Sequence, residues 1–349
     1  MEKIHVNASK EYDVIIGKDI LHDLGSYIKE VIPPCRAAVV ADDRVFGLYG
    51  DALVSSLENS GFNTCVHTFK NGEKSKNMTE LEKILDFLAE NHITRSDIVI
   101  AAGGGVTGDM AGFAAAVYLR GIKFVQVPTT FLAAVDASVG GKTAVDLKSG
   151  KNLAGAFHQP SLVLCDTSVF DTLDEKTFAD GISEAIKCGV LRDEKLFEMT
   201  KNDVRKNAAK IAASAVSIKR DLVAEDEFDT GARQLLNFGH TIGHAIEKCS
   251  GFDITHGHAV AIGMAVITKA AEKDGFCEKG TYNALCENLC ANALPTECGF
   301  DAEKLYDVIL SDKKRSGENI TLVLPKKIGN CVLYKMPVSD LAEFIKKGL

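Results

Sequence analysis

The 349-residue chain contains no tryptophan and never runs apolar for the ~20 residues that a membrane-spanning helix needs. Its opening residues, MEKIHVNASKEYDVIIG, have neither a basic segment nor an apolar stretch of secretory type, so no signal peptide is expected and the cytoplasm is the expected compartment. The cysteines lack paired spacing. Cys165, Cys188, Cys286 and Cys290 fall in apolar contexts and read as reduced thiols. Cys286 and Cys290 stand one helical turn apart, but no further Cys or His follows at zinc-finger spacing. Positive charge is also short: Lys and Arg number 40 against 48 Asp and Glu, for a net charge of −8. That excludes bulk binding to nucleic acid or to an anionic membrane. Internal repeats and low-complexity tracts are absent.

What is present is an ordinary globular composition, 46% hydrophobic and 25% charged, long enough for two domains. YDVIIG, AAVVADD, NTCVHTF, DIVIAAGGG, GIKFVQVPTT and SLVLCDTS are short, apolar and rich in β-branched residues, with helical stretches such as NMTELEKILDFLAENH between them. Strands alternating with helices predict an α/β domain with a mostly parallel sheet, whose ligands bind at the carboxyl ends of the strands. After about residue 170 helical periods take over, from FADGISEAIKCGVL to TYNALCENLCAN, and strand-like pieces return only at ENITLVLPKKIGNCVLYKMP. The expected domains are residues 1–168, α/β, and 169–349, all-helical, with a cleft between them as the default place for a site.

DIVIAAGGGVTGDMAGF runs from a strand into glycines and then a helix, and Gly103, Gly105 and Gly108 satisfy G-x-G-x-x-G. Such glycines let the backbone approach a ligand, and the free N–H groups of the next helix favour a phosphate. The acid that usually follows about 20 residues later is missing; VQVPTTF stands there instead. Asp42, ending AAVVADD, is a candidate partner for a ribose hydroxyl. Downstream, Thr129, Thr130, Asp136, Gly140, Gly141, Lys142, Lys151 and Asn152 lie in a stretch poor in bulky side chains. It reads as a polar loop with room for a charged ligand.

Four of the nine histidines crowd into NFGHTIGHAIEKCSGFDITHGHAV. The H-E-x-x-H protease helix is excluded, because Thr241 occupies the place of the glutamate. His240 and His244 are four apart and share a helical face, so spacing makes both candidate ligands. His256 and His258 follow a turn that could return one of them to that face. Three imidazoles, or two and a carboxylate, with an open position describe a catalytic zinc-type site. Spacing does not say which atoms bind.

Six motifs in order, GGGVTGDMAGFAAAVYLRG, VPTTFLAAVDASVGGKTAVD, GKNLAGAFHQP, ISEAIKCG, LNFGHTIGHAIE and HGHAVAIGM, resemble the 3-dehydroquinate synthases of the shikimate pathway across nearly the whole chain. The resemblance implies a Rossmann-like nucleotide-binding domain followed by a helical metal-binding domain, in a homodimer without a fused partner enzyme. It implies NAD and a divalent metal, zinc or else cobalt. The implied metal ligands are Glu184, His240 and His256, which moves His244 from the metal to the substrate. The chain departs from the family where His-Gly-Glu is usual: it reads His256-Gly257-His258.

The implied substrate is an anionic seven-carbon sugar acid phosphate. Arg120, Lys142, Lys187, Lys219, Arg233 and the pair Lys313 and Lys314 match positions that supply its positive partners. Asp136, Asn237 and His244 match other substrate contacts. Implied NAD contacts are Asp42, Glu73 and Lys76, then Gly104, Gly105, Val106 and Asp109, then Thr129, Thr130, Lys142, Lys151, Asn152 and Thr172. The implied activity is that of a phosphate lyase: transient oxidation by NAD, phosphate elimination, reduction, ring opening and aldol closure. Other sugar phosphate cyclases share metal, NAD and mechanism, but GKNLAGAFHQP and Arg233 favour the dehydroquinate reading. Metal-dependent alcohol or glycerol dehydrogenases share the two-domain layout and would accumulate NADH.

Overall fold

The structure is a computed structural model that describes residues 1–313 and 318–349. The chain forms two compact units, Met1–Leu173 and Asp174–Leu349. In the first, strands β1 (Glu2–Val6), β2 (Tyr12–Gly17), β3 (Arg36–Asp42), β4 (Asn63–Phe69), β5 (Ile98–Gly103) and β6 (Lys123–Pro128) are followed by a hairpin of β7 (Lys142–Leu147) and β8 (Gly150–Phe157), then by β9 (Leu162–Asp166). Helices α1 (Leu24–Val31), α2 (Asp43–Asn59), α3 (Met78–Glu90) and α4 (Gly105–Val117) connect the strands. One seven-stranded sheet has the order β1-β2-β9-β6-β5-β3-β4, parallel throughout except for β1 against β2.

Every residue of β5 is buried, and β3 is buried after Arg36. This is why these strands read as continuous apolar runs rather than alternating ones. Helix α3 starts at an Asn77 cap, whose side chain accepts from the Glu80 N–H at 3.0 Å, and buries Leu81, Ile84 and Leu88 against Val99, Ala101 and Phe124. Each such side chain contributes about 1.5–3 kcal/mol. From β3 the chain moves outward to β4; from β5 it moves the other way to β6. The crossing direction therefore reverses between β3 and β5, where parallel sheets hold nucleotides. Asp42 and Gly103 end those two strands.

Two stretches depart from the sequence reading. The stretch expected as a loop contains a π-helical turn, Ala133–Ala137, and the β7–β8 hairpin, which pairs Lys142 with Phe157. Strand β1 also appears, its Ile4 and Val6 buried in alternation. The first unit runs to Leu173, five residues past 168, where the Val169 carbonyl and the Thr172 hydroxyl meet the Tyr49 hydroxyl of α2 at 3.1 and 2.7 Å.

The second unit holds α5 (Glu175–Arg192), α6 (Glu194–Met199), α7 (Ala208–Glu225), α8 (His240–Cys249), α9 (His256–Lys273), α10 (Thr281–Ala291) and α11 (Ala302–Lys313), a hairpin of β10 (Asn319–Lys327) and β11 (Asn330–Pro337), and α12 (Val338–Gly348). It is helical apart from that one hairpin, which is formed by the strand-like ENITLVLPKKIGNCVLYKMP segment. Among the described residues no helix is long and apolar enough to cross a membrane.

Helix α9 is the buried centre, and α8 packs on it backbone to backbone. A Cβ on Gly263 would lie 2.1 Å from the Gly239 carbonyl oxygen, and one on Gly243 would lie 3.1 Å from the Ala259 oxygen. Gly239 has φ +80°, a left-handed turn residue from which α8 begins at His240. We expect Gly263→Ala to lower stability by about 3 kcal/mol, the upper end for overpacking, since backbone cannot give way. A urea midpoint equal to that of the parent chain would contradict this close packing.

Candidate functional site

The close α8–α9 contact sets two imidazoles at the first turns of two adjacent helices, His240 on α8 and His256 on α9. Across from them α5 presents Glu184, which is fully buried. The carboxylate is split between partners. Its Oε2 pairs with the Lys187 ammonium, while Oε1 lies 3.3 Å from His256 Nε2 and 3.7 Å from His240 Nε2. Bonds of about 2.0–2.2 Å to a tetrahedral zinc put neighbouring ligand atoms about 3.3–3.6 Å apart. The donor set therefore fits a divalent ion in atom type, and its atoms lie within 4.8 Å of one another, close to that spacing.

Orientation is fixed from outside the cluster. His240 Nδ1 donates to the Phe238 carbonyl at 3.1 Å, and His256 Nδ1 donates to Glu247 Oε2 at 3.3 Å. In the neutral rings both Nε2 lone pairs then face Glu184, the arrangement by which outer partners orient metal-binding histidines. Burial and the Lys187 charge push His240 down to about 3, so it is neutral. Burial also works against charge on His256, but Glu184 and Glu247 outweigh it and push it up to about 10. A proton on His256 and a cation beside Glu184 thus answer the same buried negative charge.

His244, Glu247 and His256 also lie within 4.8 Å of one another. In that grouping the His256 nitrogen nearest Glu247 carries the hydrogen and has no lone pair to give. The His244 ring stands 5.4 Å from His240 and 5.9 Å from His256, exposed at the mouth of the cluster. The fourth histidine turns away: His258 Nδ1 lies 2.8 Å from Asp180 Oδ1. Sequence reasoning missed Glu247 and Asp180. Glu247 had a signal, being seven residues from His240 on the same face of α8. We expect Glu247→Gln to weaken metal binding by about tenfold while the chain stays folded, as read by chelator competition. Undiminished affinity would remove Glu247 from this role.

Other expected substrate residues of the second unit fall on neighbouring elements. Lys219 is buried on α7. Arg233 is buried in the turn before α8; its N–H donates to Asp226 Oδ2 at 3.1 Å and its guanidinium to the Glu227 carbonyl. Asn237 is exposed at the end of that turn. Lys313 closes α11, and Lys314 lies outside the described residues.

In the first unit the expected nucleotide residues gather after the carboxyl ends of β3, β4, β5 and β6. Gly104 stands at the cap position of α4 and offers no side-chain cap, so the first N–H groups of the helix can serve an anion; Gly105, Val106 and Asp109 line its first turns. A Cβ on Gly104 would lie 3.0 Å from Thr130 Cγ2, so a larger residue here would crowd the cradle. The Thr129 hydroxyl is buried without a hydrogen-bond partner among the described residues. Both features fit a phosphate-bearing ligand. Asp42 spends one oxygen capping α2, accepting from the Val45 N–H at 3.0 Å.

The buried Lys76 ammonium donates to Asp109 at 2.5 Å and to Asn152 Oδ1 at 2.6 Å. Burial disfavours its charge, but Asp109 and Glu73 outweigh that and hold its pKa above the usual value. Lys151 lies 3.5 Å from Glu73, and the Thr172 hydroxyl is 2.7 Å from that of Tyr49. Lys142 is exposed at the start of β7, Asp136 sits in the π-helical turn, and Arg120 is exposed with φ +68°. Asn152 has φ +55°. Left-handed backbone at non-glycine residues costs about 1–3 kcal/mol and gathers at working sites.

Comparison with known proteins gives this arrangement a context. Residues 66–180 match the family model for the 3-dehydroquinate synthase N-terminal domain, and residues 181–315 match that for the C-terminal domain. A 3-dehydroquinate synthase of Streptococcus thermophilus is 40% identical over 354 residues, spanning 99% of this chain and 100% of the relative. One of Streptococcus mutans is 40% identical over 355 residues, with the same shares. Among solved structures, a 2-deoxy-scyllo-inosose synthase complexed with carbaglucose-6-phosphate, NAD+ and Co2+ superposes with a TM-score of 0.90 at 25% identity, over 100% of both chains. A 2-epi-5-epi-valiolone synthase of Streptomyces hygroscopicus with NAD+ and Zn2+ gives 0.88 at 25% identity, over 98% of this chain and 97% of that one. A probable glycerol dehydrogenase of Sinorhizobium meliloti, 16% identical with a TM-score of 0.64 over 95% and 94%, shares the fold. With both family models matched and full-length relatives at this identity, the chain belongs to the 3-dehydroquinate synthase family.

Proposed function

We propose that the chain converts 3-deoxy-D-arabino-heptulosonate 7-phosphate to 3-dehydroquinate and phosphate, a step of the shikimate pathway. The observation that carries this is the Glu184, His240 and His256 cluster, with both tautomers set, in a chain 40% identical to 3-dehydroquinate synthases over their full length. When bound, NAD supplies a hydride acceptor that is regenerated, and a divalent ion at this cluster supplies a Lewis acid for adjacent hydroxyls. The chain's own residues do the rest. Glu184, His240 and His256 hold the ion, and Phe238 and Glu247 hold the imidazoles. Lys187, Lys219, Arg233 and Lys142 bring local positive charge to a doubly anionic substrate in a chain of net charge −8. His244, beside the ligand set, meets the substrate. The Gly104–Thr130 cradle and the charged Lys76–Asp109 pair seat the dinucleotide. Homodimer assembly, a cytoplasmic location and the identity of the metal belong to the same reading and rest on family membership.

The test is substrate choice. The metal-loaded chain with NAD should release phosphate from the seven-carbon acid phosphate and yield a carbocyclic product by NMR. With glucose 6-phosphate, the reactant of the inosose branch, it should do neither. Turnover of glucose 6-phosphate at a matching rate would overturn the assignment within the superfamily.

A further inference from the structure

We propose that Asp180, Thr255 and His258 form a positioning clamp that fixes the first turn of α9, and with it His256, against Glu184. The inference rests on the reading of Glu184, His240 and His256 as the cation site.

Asp180 and Glu184 are four residues apart on α5 and share one face. Glu184 meets the His256 side chain while Asp180 holds the backbone that carries it. A single oxygen, Asp180 Oδ1, accepts from the His258 N–H at 3.0 Å, from Thr255 Oγ1 at 2.7 Å and from His258 Nδ1 at 2.8 Å. Thr255 occupies the cap position of α9, yet its hydroxyl makes no cap bond to the helix. The acceptor that the third helical N–H needs comes from a carboxylate on another helix, at the end where the helix dipole favours negative charge. The backbones touch here too: a Cβ on Gly257 would lie 2.4 Å from the Asp180 Cα. His258 and Asp180 side chains are only 16% and 14% exposed, so the bond is sheltered from competing water. The clamp also explains why an imidazole two residues from His256 is absent from the cluster: its ring is engaged on the opposite side.

A plain structural cap would change stability and leave metal binding alone, so both are measured. Metal-stripped chain is titrated with cobalt(II), followed by its visible d–d absorption, and the same stripped chain is unfolded in urea. Asp180→Ala should weaken cobalt binding about 10–100-fold, the range for outer partners of metal ligands, and alter the spectrum. Asp180→Asn keeps the acceptor and should retain most of the affinity. His258→Glu sets a carboxylate against Asp180 and should weaken binding by about tenfold; adding Asp180→Asn should restore it, a coupling that contact between the two side chains requires. That last pair decides the matter even if Asp180→Ala fails to fold. Cobalt affinity unchanged in Asp180→Ala, whatever its urea midpoint, overturns the clamp, as does His258→Glu binding like the parent. Parent chain that binds no cobalt overturns the metal reading itself.

Discussion

His240→Ala will leave the chain without its divalent ion, with metal content by elemental analysis falling from one ion per chain to near zero. The ring supplies one of three donors around a site whose remaining pair is Glu184 Oε1 and His256 Nε2. Losing a direct ligand should exceed the roughly 10–100-fold cost of losing an outer partner. Phosphate release should fall with it, because no other group in the cluster can take the Lewis acid's place. Alanine is well tolerated at the first position of α8, so the helix itself survives. Full metal retention in this variant would contradict the ligand set.

Lys142→Ala will cut phosphate release about 100–1000-fold, the usual cost of removing one fixed electrostatic partner. Its side chain is exposed at the start of β7, with the hairpin held by backbone pairing to Phe157. Stability should therefore change by no more than about 0.5 kcal/mol. The combination, a large loss of turnover with an unmoved melting temperature, separates a substrate-binding role from a folding role. Unchanged release would remove Lys142 from the site.

Much of this architecture was legible because buried parallel strands advertise themselves. AAVVA and IVIAAG are apolar throughout, and FVQVP is apolar but for Gln126, since both faces are covered, and the glycines after β5 mark the turn at the sheet's reversal. The β7–β8 hairpin was not legible. KTAVDLKSGKNLAGAF is rich in small residues and lysines and shows no clean apolar alternation; one of its glycines, Gly155, is needed because a Cβ there would lie 2.1 Å from the Thr143 carbonyl oxygen.

The histidine cluster was visible as a cluster, but its chemistry was not. Spacing favoured His240 with His244, which share a helical face. The convergence instead depends on α8 and α9 touching at glycines and on Glu184, 56 positions before His240, arriving from α5. Glu184 entered the sequence reading only through resemblance of its motif. The Asp180–His258 contact spans 78 positions and leaves no local trace at all.

In the proposed reaction NAD borrows a hydride and returns it, and a divalent ion is needed as Lewis acid. The most direct measurement is the number of phosphates released per NAD when the metal-loaded chain receives far less NAD than substrate. The predicted result is many phosphates per NAD, with no accumulation of NADH. Release that stops at one phosphate per NAD while NADH builds up, or that runs at full rate with no NAD present, would contradict it.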